Sequence, residues 1–72
     1  MCFALCEGDA CDAVAVTWSM SDGGYVVSNR SARVIRVSLP TWTNAIEVTV
    51  APHQSVFLAI VGFEMPFHAQ FE

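Results

Sequence analysis

Cys2, Cys6 and Cys11, interleaved with Glu7, Asp9 and Asp12, are the densest set of potential ligands and nucleophiles in this chain of 72 residues. Metal binding is one chemistry such a set could serve. The spacings of four and five residues do not match the C-x2-C pairs that bring two thiolates onto one zinc ion, so no metal site is expected. Three cysteines cannot all pair within one chain. The expectation for a cytoplasmic protein is therefore reduced thiols, two of them tucked away as small apolar groups.

Catalysis by a thiol or hydroxyl would need an orienting base, and the histidines are His53, in a predicted turn, and His68, on the polar face of the last predicted strand. Nothing in the sequence carries either to a cysteine. Asp9 and Asp12 lie in a segment with no predicted element to fix their separation, as acid and base catalysis requires. No catalytic residue and no cofactor is assigned, and an enzyme is not expected. Gly23-Gly24 follows a strand but opens no helix, so it lacks the dipole and free amides of a phosphate cradle. Asn29-Arg30-Ser31 has the form of a glycosylation sequon, yet Asn and Ser also favour turns through local backbone bonds.

Trp42, flanked by Thr41 and Thr43, offers a different chemistry. A loop tryptophan between two hydroxyls can stack on a sugar or anchor a partner, so these three are the candidate ligand-binding residues.

Charge narrows the partners. The chain has seven acids, three arginines, no lysine and a net charge of −4. Arg30, Arg33 and Arg36 are too few to neutralise a phosphate backbone, and no nucleic acid is expected. The opening residues lack a basic stretch followed by a signal-length apolar run, so the expected location is cytoplasmic. The longest strongly apolar run, Val56 to Phe63, is far short of the roughly 20 residues that span a bilayer as a helix, so no membrane is expected.

The elements that must position these groups are strands. Val14, Val16, Trp18 and Met20 alternate with small or polar residues, as do Ile35, Val37 and Leu39, then Ile46, Val48 and Val50. A period of two marks half-buried strands, and the β-branched types suit a pleated surface. Six strands are predicted, near 13–20, 24–29, 33–39, 45–50, 55–62 and 64–71. Turn signals at short intervals leave no room for crossover helices. The predicted fold is all-β: a single small antiparallel sandwich or barrel over 13–72, preceded by a Cys- and acid-rich segment over 1–12.

Register can be read in part. An Asp22-Gly23 type I′ turn would set Met20 opposite Tyr25 and Trp18 opposite Val27. For strands 33–39 and 45–50, keeping the apolar residues on one face allows Arg36 opposite Glu47, which is expected, or Ser38 opposite Glu47. Strand 55–62 is apolar on both faces and so should be central. Phe63, Phe67 and Phe71 have helical spacing, but Pro66 would break a helix at a cost of about 3 kcal/mol. Pro66 and a polar face instead make 64–71 an edge strand.

Hydrophobic residues make up 54% of the chain, more than one small sheet can hide. The expected function is therefore a non-enzymatic binding or assembly module that self-associates through an apolar β surface, with Phe63, Met65, Phe67 and Phe71 at the interface. Another protein is the second partner considered. The alternative function is a small carbohydrate- or ligand-binding domain using Trp42.

Overall fold

The computed structural model describes residues 5–72, and Cys2 lies outside them. It is an all-β sandwich of two sheets. Strands β1 (Cys6–Glu7), β7 (Phe67–Phe71), β4 (Ile35–Pro40) and β5 (Ala45–Val50) form one sheet in that order, and β2 (Val14–Ser19), β3 (Gly24–Asn29) and β6 (Ser55–Leu58) form the other. The pairings are antiparallel except that β1 runs parallel to β7. Among the described residues the helical structure is a single 3-10 turn, Cys11–Ala13.

The alternation seen in the sequence fills the space between the layers. Ile35, Val37 and Leu39 of β4, Val50 of β5, Ala69 of β7 and Val27 of β3 are fully buried, and Phe67 is 4% exposed. Val16, Val56 and Leu58 pack against them. The outer face of the four-stranded sheet carries the charges: Arg36, Glu47, His68 and Glu7 are all exposed. Arg36 bonds Glu72 at 2.6 Å.

Two hairpin registers differ from expectation. Trp18 faces Tyr25 and Ser19 faces Gly24, so β2 and β3 are joined by four residues rather than by Asp22-Gly23 alone. A type I′ turn needs positive φ at both central residues, whereas here Gly23 takes it (φ 70°) and Asp22 does not. The Asp22 carboxylate instead accepts the Ser19 hydroxyl at 2.9 Å, and Gly23 N–H donates to the Ser19 carbonyl at 2.9 Å. A slip of two keeps every side chain on its predicted face. In the second hairpin Glu47 faces Ser38, the alternative register, and Arg36 faces Thr49. The loop closes on Thr41, whose N–H and hydroxyl both donate to the Asn44 carbonyl at 2.6 Å.

Two positional expectations are also corrected. β6 ends at Leu58 and lies at a sheet edge rather than at a centre, with Phe57 45% exposed. A two-layer sandwich covers one face of each sheet, and the apolar residues after Leu58 leave the ladder to cross between the sheets. β7 begins after Pro66 and is interior, between β1 and β4. The Cys- and acid-rich segment contributes β1 to the four-stranded sheet and lies along the β7 edge. Phe67 N–H donates to the Leu5 carbonyl, Phe71 N–H to Asp9 Oδ1, and Ala10 N–H to the Ala69 carbonyl. Gly8 permits this close approach: its φ is 119°, and a Cβ there would collide with the Ala69 carbonyl.

Candidate binding surface

The connections place chemically distinct residues at opposite ends of the sandwich. Loops 20–23, 41–44 and 59–66 and the start of β1 share one end, because β2, β4 and β6 finish there and β3, β5 and β7 begin there. The large exposed apolar side chains among the described residues are Leu5, Trp18, Met20, Trp42, Phe57, Val61 and Met65. All lie in or next to this loop end. Loops 30–34 and 51–54 occupy the other end, with Arg30, Arg33, His53 and Gln54 exposed there.

Trp42 is 94% exposed and Val61 89% exposed. Between them runs an open groove of about 360 Å³, walled by Thr41, Trp42, Thr43 and Ile46 on one side and by Ala59, Ile60, Val61 and Gly62 on the other. The two walls are fastened together below the groove, where Glu64 N–H donates to the Pro40 carbonyl at 2.7 Å. The 59–66 loop is also anchored by aromatic packing. Trp18 meets Tyr25 edge-on with ring centres 5.0 Å apart, Tyr25 meets Phe63 at 5.1 Å, and Phe63 meets Phe67 at 5.9 Å. Such edge-on pairs contribute about 0.5–1.5 kcal/mol each beyond area burial. Phe63 therefore holds the loop to the core while Val61 projects outward.

The expected interface residues separate. Phe67 is inside the molecule, Phe63 is half-buried in the aromatic chain, and Phe71 is half-buried beneath Arg33, whose guanidinium carbon lies 4.3 Å from the ring centre. Met65, 49% exposed, remains at the surface. Trp42, Thr41 and Thr43 do come together on one groove wall. The opposite wall, above all Val61, was missed in the sequence, although the apolar run beyond the length of β6 was its signal.

The cysteine cluster is not a set of free thiols: Cys6 and Cys11 form a disulfide. The expectation of reduced thiols is corrected at these two positions, and the loop they close is the one that covers the β7 edge. His68 faces Glu7, one residue along from Cys6, but the Cys6 sulfur is already bonded. His53 sits in the opposite loop with φ 57°. Asn29 is 3% exposed; its Nδ2 donates to the carbonyls of Arg33, Val50 and Ala51, and its Oδ1 accepts from the Ser31 N–H and hydroxyl. That engagement makes the sequon a structural turn. Comparison of the chain with protein-family models, with curated proteins and with solved structures returned no match.

Proposed function

We propose that this protein is a non-enzymatic binding module that docks an apolar, basic-flanked segment of another protein at its loop end. The observation that carries the proposal is the gathering of the exposed large apolar side chains at one end, around a groove beside Trp42. Tryptophans in such settings are the commonest anchors of binding energy, and fully burying a large apolar side chain is worth roughly 1.5–3 kcal/mol. Charge supplies the partner's chemistry. Asp22 and Glu64 lie in the loops of this end, Glu7 and Glu47 stand nearby on the outer sheet face, and the arginines lie toward the far end. An acidic rim favours lysine and arginine around an apolar centre and repels anionic surfaces.

Carbohydrate binding is a second use for Trp42, favoured by its exposure beside a groove. The lining weighs against it, because a sugar needs directed polar partners around the stacking ring. Thr41 spends its hydroxyl on the Asn44 carbonyl, and the facing wall is apolar. Disulfides persist in oxidising surroundings, so the Cys6–Cys11 bond favours such a setting over the cytoplasm.

Selection of random peptides displayed on phage tests the docking proposal. The enriched peptides should combine an apolar centre with flanking lysine or arginine and lose binding to a Trp42→Ser, Val61→Ser double variant. Enrichment of acidic peptides, or of peptides indifferent to that variant, would overturn it.

A further inference from the structure

Among the described residues β2 pairs with β3 on one side and with no strand on the other, so it is an open edge there. Its sequence, Val-Ala-Val-Thr-Trp-Ser, contains no charge and no proline over six residues. Open edges are normally blunted by charge, proline or shortness, because unpaired amides and carbonyls invite another strand. The other edges are blunted: β5 carries Glu47, β1 has two residues and β6 has four.

The free backbone groups can be assigned. Arg30 N–H donates to the Ala13 carbonyl at 2.8 Å, and Asn29 N–H points the other way, to Gln54. In an antiparallel ladder the bonded pairs alternate, so Ala15, Thr17 and Ser19 spend their backbone groups on β3. Val16 and Trp18 then direct both N–H and C=O outward. Val14 directs its carbonyl outward, its N–H being used on Cys11.

We infer that two copies of this chain associate by antiparallel pairing of β2 with β2 across a two-fold axis, joining the three-stranded sheets into one continuous sheet. With Val16 facing Val16 of the other copy, Val14 faces Trp18: the two Val16 residues exchange both bonds and each Trp18 N–H meets a Val14 carbonyl, four bonds in all, while each Trp18 carbonyl is left without a strand partner because the Val14 N–H opposite it is used on Cys11. The core-side residues of both copies stay on one side of the joined sheet. The outer face of each three-stranded sheet presents Ala15, Thr17, Val26, Ser28, Ser55 and Phe57. It carries no charge, so two acidic chains meet there without like-charge contacts. At the ends of the ladder both signs meet. Ser19, which holds the Asp22 carboxylate, comes opposite Ala13 of the other copy, beside Asp12 and Arg30. If the loop end is the docking surface proposed above, the pair presents two such ends pointing in opposite directions.

Sedimentation equilibrium at micromolar concentration, with amide hydrogen exchange on the same samples, tests the inference. The expected result is a dimer in which the Val16 and Trp18 amides gain protection as concentration rises. Thr17→Lys, at an exposed outer-face position, should weaken dimerisation about tenfold or more by placing charge on the edge. Thr49→Lys on the β5 edge and the Trp42→Ser, Val61→Ser variant should leave the dimer intact, which separates this edge from the docking end. A monomer at all concentrations, or a dimer whose Val16 and Trp18 amides stay unprotected, overturns the inference. The exchange measurement on the unaltered protein decides the matter even if Thr17→Lys fails to fold.

Discussion

Asn29 Nδ2 donates to the Val50 carbonyl at 3.0 Å, a hydrogen bond from the last residue of β3 to the last residue of β5 that ties the two sheets together at their polar end. The same side chain also reaches Arg33 and Ala51 and receives Ser31, so one amide organises both loops there. Asn29→Ala removes these partners, leaving the buried Val50 carbonyl without its donor at about 1–3 kcal/mol and breaking the part-buried bonds to Arg33, Ala51 and Ser31 at about 0.5–1.5 kcal/mol each. A domain of this size holds only about 3–5 kcal/mol in total. Asn29→Ala should therefore be largely unfolded at room temperature, as near-UV circular dichroism would show; a near-native spectrum and melting point would contradict the role given to Asn29.

Trp42→Ser should behave in the opposite way. A side chain 94% exposed contributes little to the fold, so thermal unfolding should shift by less than about 0.5 kcal/mol. Substantial destabilisation would mean that Trp42 is covered in solution, within the molecule or by another copy.

Reduction tests the N-terminal clasp. The Cys6–Cys11 bond closes a loop with a sequence separation of 5, for which chain entropy gives about 2 kcal/mol. A shift of this size corresponds to roughly 10 °C in Tm for a small domain. Adding reductant should lower Tm by about that amount and speed amide exchange at Phe67 and Phe71, whose N–H groups are held by Leu5 and Asp9. An unchanged Tm would show that the clasp does not need the bond.

Gly24→Ala probes the β3–β6 pairing. An added Cβ would collide with the Leu58 carbonyl and stand 2.7 Å from the Phe57 ring. The backbone contact cannot yield as a flexible side chain can. Unfolding should be easier by about 1–3 kcal/mol, the range for overpacking, whereas Gly62→Ala, with open space around it, should have little effect. Denaturant titration of the two variants side by side gives the comparison.

Arg36→Ala should be nearly silent. Its partner Glu72 is 39% exposed and Arg36 itself 58%, and exposed pairs are worth about 0–1 kcal/mol. A large, salt-independent loss of Tm would show that Arg36 holds more than the end of β7.

The strands were legible in the sequence because inward residues alternate so regularly: Ile35, Val37 and Leu39 read as a buried face and are one. Turn detail was less legible, since Asp22-Gly23 fits several loop lengths and the choice is made by the Ser19 hydroxyl and by the Trp18 contact with Tyr25. The neighbours of β7 could not be read at all. Its partner β1 is two residues long, too short for any periodicity, and is held by Gly8, Asp9 and a disulfide rather than by a strand pattern. Of the proposed binding surface, Trp42 was visible as a loop tryptophan. Val61 was hidden inside an apolar run that looked like strand, and its exposure follows only from the ladder ending at Leu58.

Chemical-shift mapping of the labelled protein, titrated with a synthetic peptide of apolar centre and lysine flanks, tests the docking surface most directly. The account predicts that the largest changes fall at Thr41 to Thr43, Ala59 to Gly62 and Met20, and that replacing the lysines with glutamates weakens binding. Changes centred on the polar end, at Arg30 to Arg33 and Pro52 to Gln54, or spread over the acidic residues of both sheets without the groove, would contradict it.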